Sequence, residues 1–331
     1  GGWRVADALL LLQRRALAQG CRDHGLPLRT LLSDWIAPDA EVLDPLIAER
    51  APWLYSGKPH HTLARWGMMR LLRYPRSIML AAEFRDLPTA EIMRRMTDLI
   101  VRDVRVEGME HIPATGPALI VANHPTGIAD GIVVHALVSH LRDDLFIYAN
   151  HDMIRVLPQM IDMIAPVEWR VEKRSHAKTR ATMDYTRDAI AAGRIGLIFP
   201  SGRLAKRTGL TLNERPWMAS AAMIARKFDL PVIPLRIRAR NSALFYLFDK
   251  IHPTLRDVTL FNEVLNKTGQ PYRVTIGAPI MPADLPRSSD EAILALRQAV
   301  LSLPTPGSTA IRLTRSRGVA RLTGARRPVG G

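Results

Sequence analysis

PALIVANHPTGIADGIVVHALV, residues 117–138, decides the fold class. Its first six residues are an unbroken apolar run of strand length, the pattern of a strand buried on both faces. A proline and a glycine then interrupt the run, and an apolar stretch of helical length follows. A strand that feeds a helix through a short polar loop is half of a parallel βαβ unit. In such sheets the working residues gather in the loops past the C-terminal strand ends. His124 and Asp130 both fall in that loop.

The same alternation continues outward. Strands are expected at 104–107, 117–122, 144–148, 195–199, 231–238 and 272–277, and helices at 131–141, 175–192, 216–228, 254–266 and 289–302. The expected architecture is α/β, with a largely parallel sheet flanked by helices over 101–303. A helical region, 1–100, precedes it, with breaks at GLP (25–27), APW (51–53), YP (74–75) and LP (87–88). Residues 304–331 carry six arginines and no acidic residue, which reads as a flexible basic tail. Such a tail is either simply solvated or held on anionic headgroups, at roughly 1 kcal/mol per basic residue near the surface.

The chain has 331 residues, 47 % of them apolar, enough for one large domain or two smaller ones. Its 46 Lys and Arg outnumber 31 Asp and Glu, a net charge of +15 that calls for an anionic partner. Neither a helix-turn-helix nor an aromatic RNA-binding signature is present, so no nucleic-acid partner is expected. Cys21 is the single cysteine, so no internal disulfide forms and a reducing compartment fits. With neither CxxC nor HExxH patterns, no metal is expected. His60-His61 lacks a neighbouring carboxylate cluster, and His135 and His140 read as packing or surface residues. The runs at 8–12 and 77–82 end well short of the about 20 apolar residues a membrane span needs, and no signal peptide is evident.

A glycine between His124 and Asp130 lets the two side chains meet, with the aspartate at the start of the next helix. If the carboxylate accepts from one ring nitrogen, the other becomes a base able to take a proton from an alcohol. That is two thirds of a hydrolytic triad, and no G-x-S-x-G nucleophile elbow accompanies it. Read alone, the spacing equally fits an N-capping aspartate beside an incidental histidine. The segment 63–76, LARWGMMRLLRYPR, puts Arg65, Arg70, Arg73 and Arg76 in one helical sector, with Trp66 and Met69 among them and Met68, Leu71 and Leu72 opposite. It suits a membrane-interfacial helix or an ordinary amphipathic one. Arg236, Arg238 and Arg240 alternate on one strand face, either as a phosphate contact or as a solvated strand end.

NHPTGIAD (123–130), FPSGR (199–203) and LPVIPL (230–235), in that order, with the lead-in VEGMEHIPATGPALIVANH (106–124), resemble the glycerolipid acyltransferase superfamily, typified by lysophosphatidic acid acyltransferases. The resemblance covers about residues 101–300. It implies a monotopic or peripheral enzyme at the cytoplasmic face of the inner membrane that moves a fatty acyl group from acyl-CoA or acyl-carrier protein to a lysolipid hydroxyl. The implied partners are the lipid substrate, an anionic membrane surface and acyl-carrier protein where it is the donor; no further cofactor is implied. By the same resemblance His124 is the general base and Asp130 its orienting partner. Asn123, Thr126 and Gly127 of the first motif, and Phe199, Pro200, Ser201, Gly202 and Arg203 of the third, with Lys206 and Arg207 after it, form the substrate site. Pro231 and Pro234 are structural. Backbone N–H groups near Gly202 or the start of the 131–141 helix are candidates to stabilise the oxyanion.

Two departures stand out. Five residues, rather than the usual four, separate histidine from aspartate. Ser201 stands where the common third motif, FPEGTR, has glutamate, and Arg203 comes one place early. These weaken the case for a glycerol-phosphate headgroup and admit an acceptor such as a lyso-aminolipid. The second motif has no clean match; Arg170, Lys173 and Arg174 are its rough counterparts. The alternatives are a non-catalytic anionic-lipid-binding protein on a degenerate scaffold, and a thioester or lipid hydrolase.

Overall fold

The computed structural model describes residues 51–72, 74–168, 175–209, 211–251, 270–308, 310–316 and 319–323, with isolated positions at 44–49 and 259–267. Arg170, Lys173 and Arg174 lie outside the described residues, as do most of the helix expected at 254–266 and everything before residue 44.

A 3₁₀ turn at Pro52–Tyr55 leads into helices α1 (Pro59–Leu71), α2 (Tyr74–Phe84) and α3 (Thr89–Ile100). Then follow β1 (Val104–Glu107), β2 (Ala118–Ala122), α4 (Ile128–Val138), β3 (Phe146–Asn150), α5 (Asp152–Val156), β4 (Ile164–Val167), α6 (His176–Ala191) and β5 (Ile195–Ile198). A small hairpin, β6 (Lys206–Thr208) and β7 (Thr211–Asn213), precedes α7 (Ser220–Lys227), β8 (Val232–Arg238) and α8 (Ala243–Ile251). The chain closes with β9 (Tyr272–Ile276), α9 (Ser289–Ser302), β10 (Ile311–Ser316) and β11 (Val319–Thr323).

The main sheet runs β11-β10-β1-β9-β8-β2-β5-β3-β4. The strands β4, β3, β5, β2 and β8 are parallel neighbours, and β1 is parallel to β9. The links β8–β9, β1–β10 and β10–β11 are antiparallel. The α/β, largely parallel architecture is therefore what the structure has. β2 shows why its sequence lacks polar alternation. Ala118, Ile120 and Ala122 pack in one core with α3 and α4, while Leu119 and Val121 pack in another with α7 and α9. With helices on both faces, every side chain of the strand is buried.

Three expectations need correction. Residues 311–316 and 319–323 belong to the sheet rather than to a flexible tail, because β10 pairs with the outer side of β1. β4 and the β6–β7 hairpin went unread: β4 carries a proline tolerated at its edge position, and the hairpin strands are three residues long. The segment 63–76 is two helices, not one, and its residues are sorted differently from a helical wheel. Arg65 turns inward, 3.0 Å from Asp44 and over the Tyr55 ring, and Met68 and Leu72 are buried. Leu63, Trp66 and Leu71 are each more than half exposed, and Arg73 lies outside the described residues.

Arg236 and Arg238 serve the fold. Arg236 donates to the carbonyls of Leu301 and Leu303, and Arg238 to those of Leu303 and Pro304. They cap the C-terminal end of α9, where free carbonyls attract cations. Among the described residues no helix is long and apolar enough to cross a membrane.

Candidate active site

β2 sits between β5 and β8, and all three point the same way. The loops that leave them therefore open on one edge of the sheet. Asn123, the first residue past β2, is locked there: its amide donates to the Ile237 carbonyl (2.9 Å) and accepts from the Ile237 N–H (2.7 Å). The Ala205 N–H donates to the His124 carbonyl at 3.0 Å, so the 123–127 and 199–205 loops are joined.

Gly127 has φ 94° and ψ −135°, a conformation reserved for glycine. It turns the chain sharply, so that Ile128 begins α4 and Asp130 becomes its third residue. The fully buried Asp130 carboxylate accepts from the Thr126 N–H (2.8 Å), the Thr126 hydroxyl (2.5 Å) and the Gly127 N–H (2.9 Å). These donors, with the N-terminal end of α4, form a cradle for negative charge. The extra residue in the His–Asp spacing is absorbed in this tight turn.

His124 Nδ1 lies 3.0 Å from Asp130 Oδ2. The ring is not turned into a well-aligned hydrogen bond, and no other acceptor among the described residues reaches the buried Nδ1. Loose alignment of this kind is common before substrate binds. The imidazole stacks on Phe199, with centroids 4.2 Å apart and planes 25° from parallel. The side chain is 19 % exposed while its Nδ1 is buried. An imidazole with a carboxylate behind one ring nitrogen can accept a proton on the other.

The expected substrate residues divide. Thr126 and Asn123 point inward, spent on Asp130 and on β8, and offer no group to a ligand. Ser201 is buried and donates to the Arg203 carbonyl at 2.8 Å. The Gly202 N–H is taken by the Phe199 carbonyl, and that of Gly127 by Asp130, so neither is a free oxyanion donor. The Pro200 carbonyl accepts from Met218 N–H, which ties the third-motif loop to the approach to α7. Arg203 and Lys206 are exposed beside the site, and the Arg207 guanidinium lies over the Tyr246 ring of α8 at 5.0 Å. Pro231 and Pro234 act through their carbonyls, which accept from Leu119 and Gly277.

Sequence reasoning missed Glu214. This carboxylate, just past β7, accepts the His124 N–H at 3.2 Å and faces the Trp217 indole N–H at 3.4 Å. Burial pushes its pKa above the usual carboxylate range, with the His124 N–H pulling the other way. It braces the His124 loop from the hairpin side, close to Ser201. A lone glutamate after two three-residue strands carries no sequence signal; only the fold brings it here.

Residues 103–238 match the Acyltransferase family. A lyso-glycine lipid O-acyltransferase of Phocaeicola vulgatus is 23 % identical over 183 residues, 54 % of this chain and 64 % of that protein. A lyso-glycine lipid O-acyltransferase of Bacteroides thetaiotaomicron is 19 % identical, over 72 % of this chain and 87 % of that one. Among solved structures, the 1-acyl-sn-glycerophosphate acyltransferase PlsC of Thermotoga maritima shares 15 % identity at a TM-score of 0.42, covering 72 % of this chain and 95 % of that one. Residues 103–238 are thus similar to acyltransferase domains, and two of the relatives that the chain matches are lipid O-acyltransferases.

Proposed function

We propose that the protein is a lysolipid O-acyltransferase. The observation that carries this reading is the His124–Asp130 pair, 3.0 Å apart, at the mouth of the joined loops of an acyltransferase domain. His124 Nε2 takes the proton of the acceptor hydroxyl, and the oxygen attacks the thioester carbonyl carbon of acyl-CoA or acyl-carrier protein. The tetrahedral intermediate collapses, the C–S bond breaks, and the imidazolium returns the proton to the leaving thiolate. Asp130 holds the ring and stabilises the imidazolium. The names of the two relatives support an acceptor built on an amino acid rather than glycerol phosphate, as does Ser201 in place of the motif glutamate. Arg203 and Lys206 are placed to meet an anionic headgroup. Leu63, Trp66 and Leu71 on α1, and Leu247 and Ile251 on α8, are large apolar side chains left exposed. The two helices share one small core, and these exposed side chains support peripheral docking at a membrane; we propose its cytoplasmic side.

The test pairs a labelled acyl thioester with a panel of lysolipids, amino-acid-bearing and phosphate-bearing, with His124→Ala in parallel. A His124-dependent diacyl product is expected in the amino-acid lane. Free fatty acid formed equally fast without acceptor would instead mean a hydrolase. Vesicle binding with no turnover in any lane would mean a non-catalytic lipid-binding protein.

A further inference from the structure

Behind Asp130 lies a buried hydroxyl that the reaction as written does not use. Tyr272 opens β9, and β9 runs antiparallel to β8, with Arg238 opposite Arg273. The first residue of β9 is thereby delivered to the sheet edge where β2 and β8 end. Its side chain is fully buried, and its hydroxyl lies 2.9 Å from the Thr126 hydroxyl. Thr126 has one hydroxyl proton, and at 2.5 Å the Asp130 carboxylate takes it. The proton between the two hydroxyls therefore comes from Tyr272. Both hydroxyl protons run one way, from Tyr272 to Thr126 to Asp130, and each bond polarises the next.

We propose that Tyr272 is a positioning residue for His124, acting through Thr126 and Asp130. A carboxylate can swing about its last torsion, and one oxygen must stay toward the histidine ring for the tautomer to be fixed. Thr126 Oγ1 holds Oδ1, which leaves Oδ2 toward His124 Nδ1, and Tyr272 holds Thr126. The buried pair Lys267–Glu263, 3.3 Å apart, is close enough for Lys267 to feel the Asp130 carboxylate. Glu214 faces His124 from the other side. Among the described contacts none of these charged groups bonds the Tyr272 hydroxyl, although Asp130 and Glu263 act on it through space.

The role rests on the acyl-transfer reading for its kinetic consequence, yet its structural core does not. The experiment is ¹⁵N NMR of histidine-labelled full-length protein, with the His124 signal assigned from His124→Ala, alongside acyl-transfer kinetics. In the wild type the ring proton is expected on Nδ1. Tyr272→Phe, which keeps the ring and removes only the hydroxyl, is expected to move the His124 signals toward the Nε2–H tautomer. It should lower kcat roughly 3- to 10-fold, the worth of one hydrogen bond, with KM unchanged. Thr126→Val should give at least the same tautomer shift. Wild-type His124 signals in Tyr272→Phe would overturn the role, whatever Thr126→Val does; so would a fall in melting temperature with neither tautomer nor kcat altered. If the wild type transfers no acyl group while the tautomer still depends on Tyr272, the relay stands and the acyl-transfer reading fails.

Discussion

At the residue scale the site is a histidine steadied from three directions. Phe199 stacks on its face, Asp130 stands behind Nδ1, and Glu214 and Ala205 hold its backbone. General-base catalysis supplies about 10² to 10⁴ in rate. His124→Ala is therefore expected to lose at least 100-fold in kcat/KM while keeping its circular dichroism spectrum; near-full activity would remove His124 from the mechanism. Asp130→Asn is expected to lose a similar factor, since an amide cannot fix the same tautomer. In sequence, His124 and Asp130 were visible because they share one seven-residue stretch. Glu214 and Tyr272 were not, lying 90 and more residues away on elements whose position depends on sheet order.

At the element scale, α4 carries both Asp130 and much of the core. It is buried on nearly all sides, and His135 sits in it. Burial drives the His135 pKa from 6.5 down to about 4. The folded chain thus refuses a proton that the unfolded chain accepts. The stability this neutral histidine supports is present above pH 6.5 and declines as pH falls toward about 4. Replacement by leucine, which cannot titrate, should flatten that part of a melting-temperature-against-pH curve; an unchanged slope would place the titration elsewhere. The arginine caps on α9 make a separate prediction. Arg238→Met should destabilise by about 1 kcal/mol in denaturant unfolding, through the lost bonds to the Leu303 and Pro304 carbonyls. Acyl transfer should be unaffected, and a selective loss of acceptor affinity would instead restore a phosphate-binding role. Strand and helix periodicity made most of these elements legible: α9 begins and ends where its spacing said, and the predicted strand at 104–107 is β1. The exceptions have local causes. β4 contains a proline, the hairpin strands are too short to show alternation, and β10 and β11 read as tail because the segment 304–331 around them carries six arginines and no acidic residue.

At the scale of the whole molecule, charge and apolar exposure cooperate. A net charge of +15 favours an anionic surface from a distance, and under the proposed docking the exposed apolar side chains of α1 and α8 supply contact on arrival. Trp66→Ser is expected to weaken binding to vesicles of mixed anionic and neutral phospholipid about tenfold, because a half-exposed indole is a large share of that apolar contact. Raising salt from low to physiological strength should weaken it further, as screening shortens the reach of the arginines. Binding indifferent to both would put the docking surface elsewhere on the molecule.

The sequence by itself determined the α/β class, the loop after β2, and the His124–Asp130 pair, because each is written in local periodicity and short spacing. Only the tertiary structure decided what surrounds that pair. The antiparallel turn of β9 brings Tyr272 behind Asp130, the hairpin brings Glu214 beneath His124, and Arg236 and Arg238 turn to α9 instead of a ligand. These are contacts across a sheet, and strand order and direction, which no local pattern encodes, fix which residues meet.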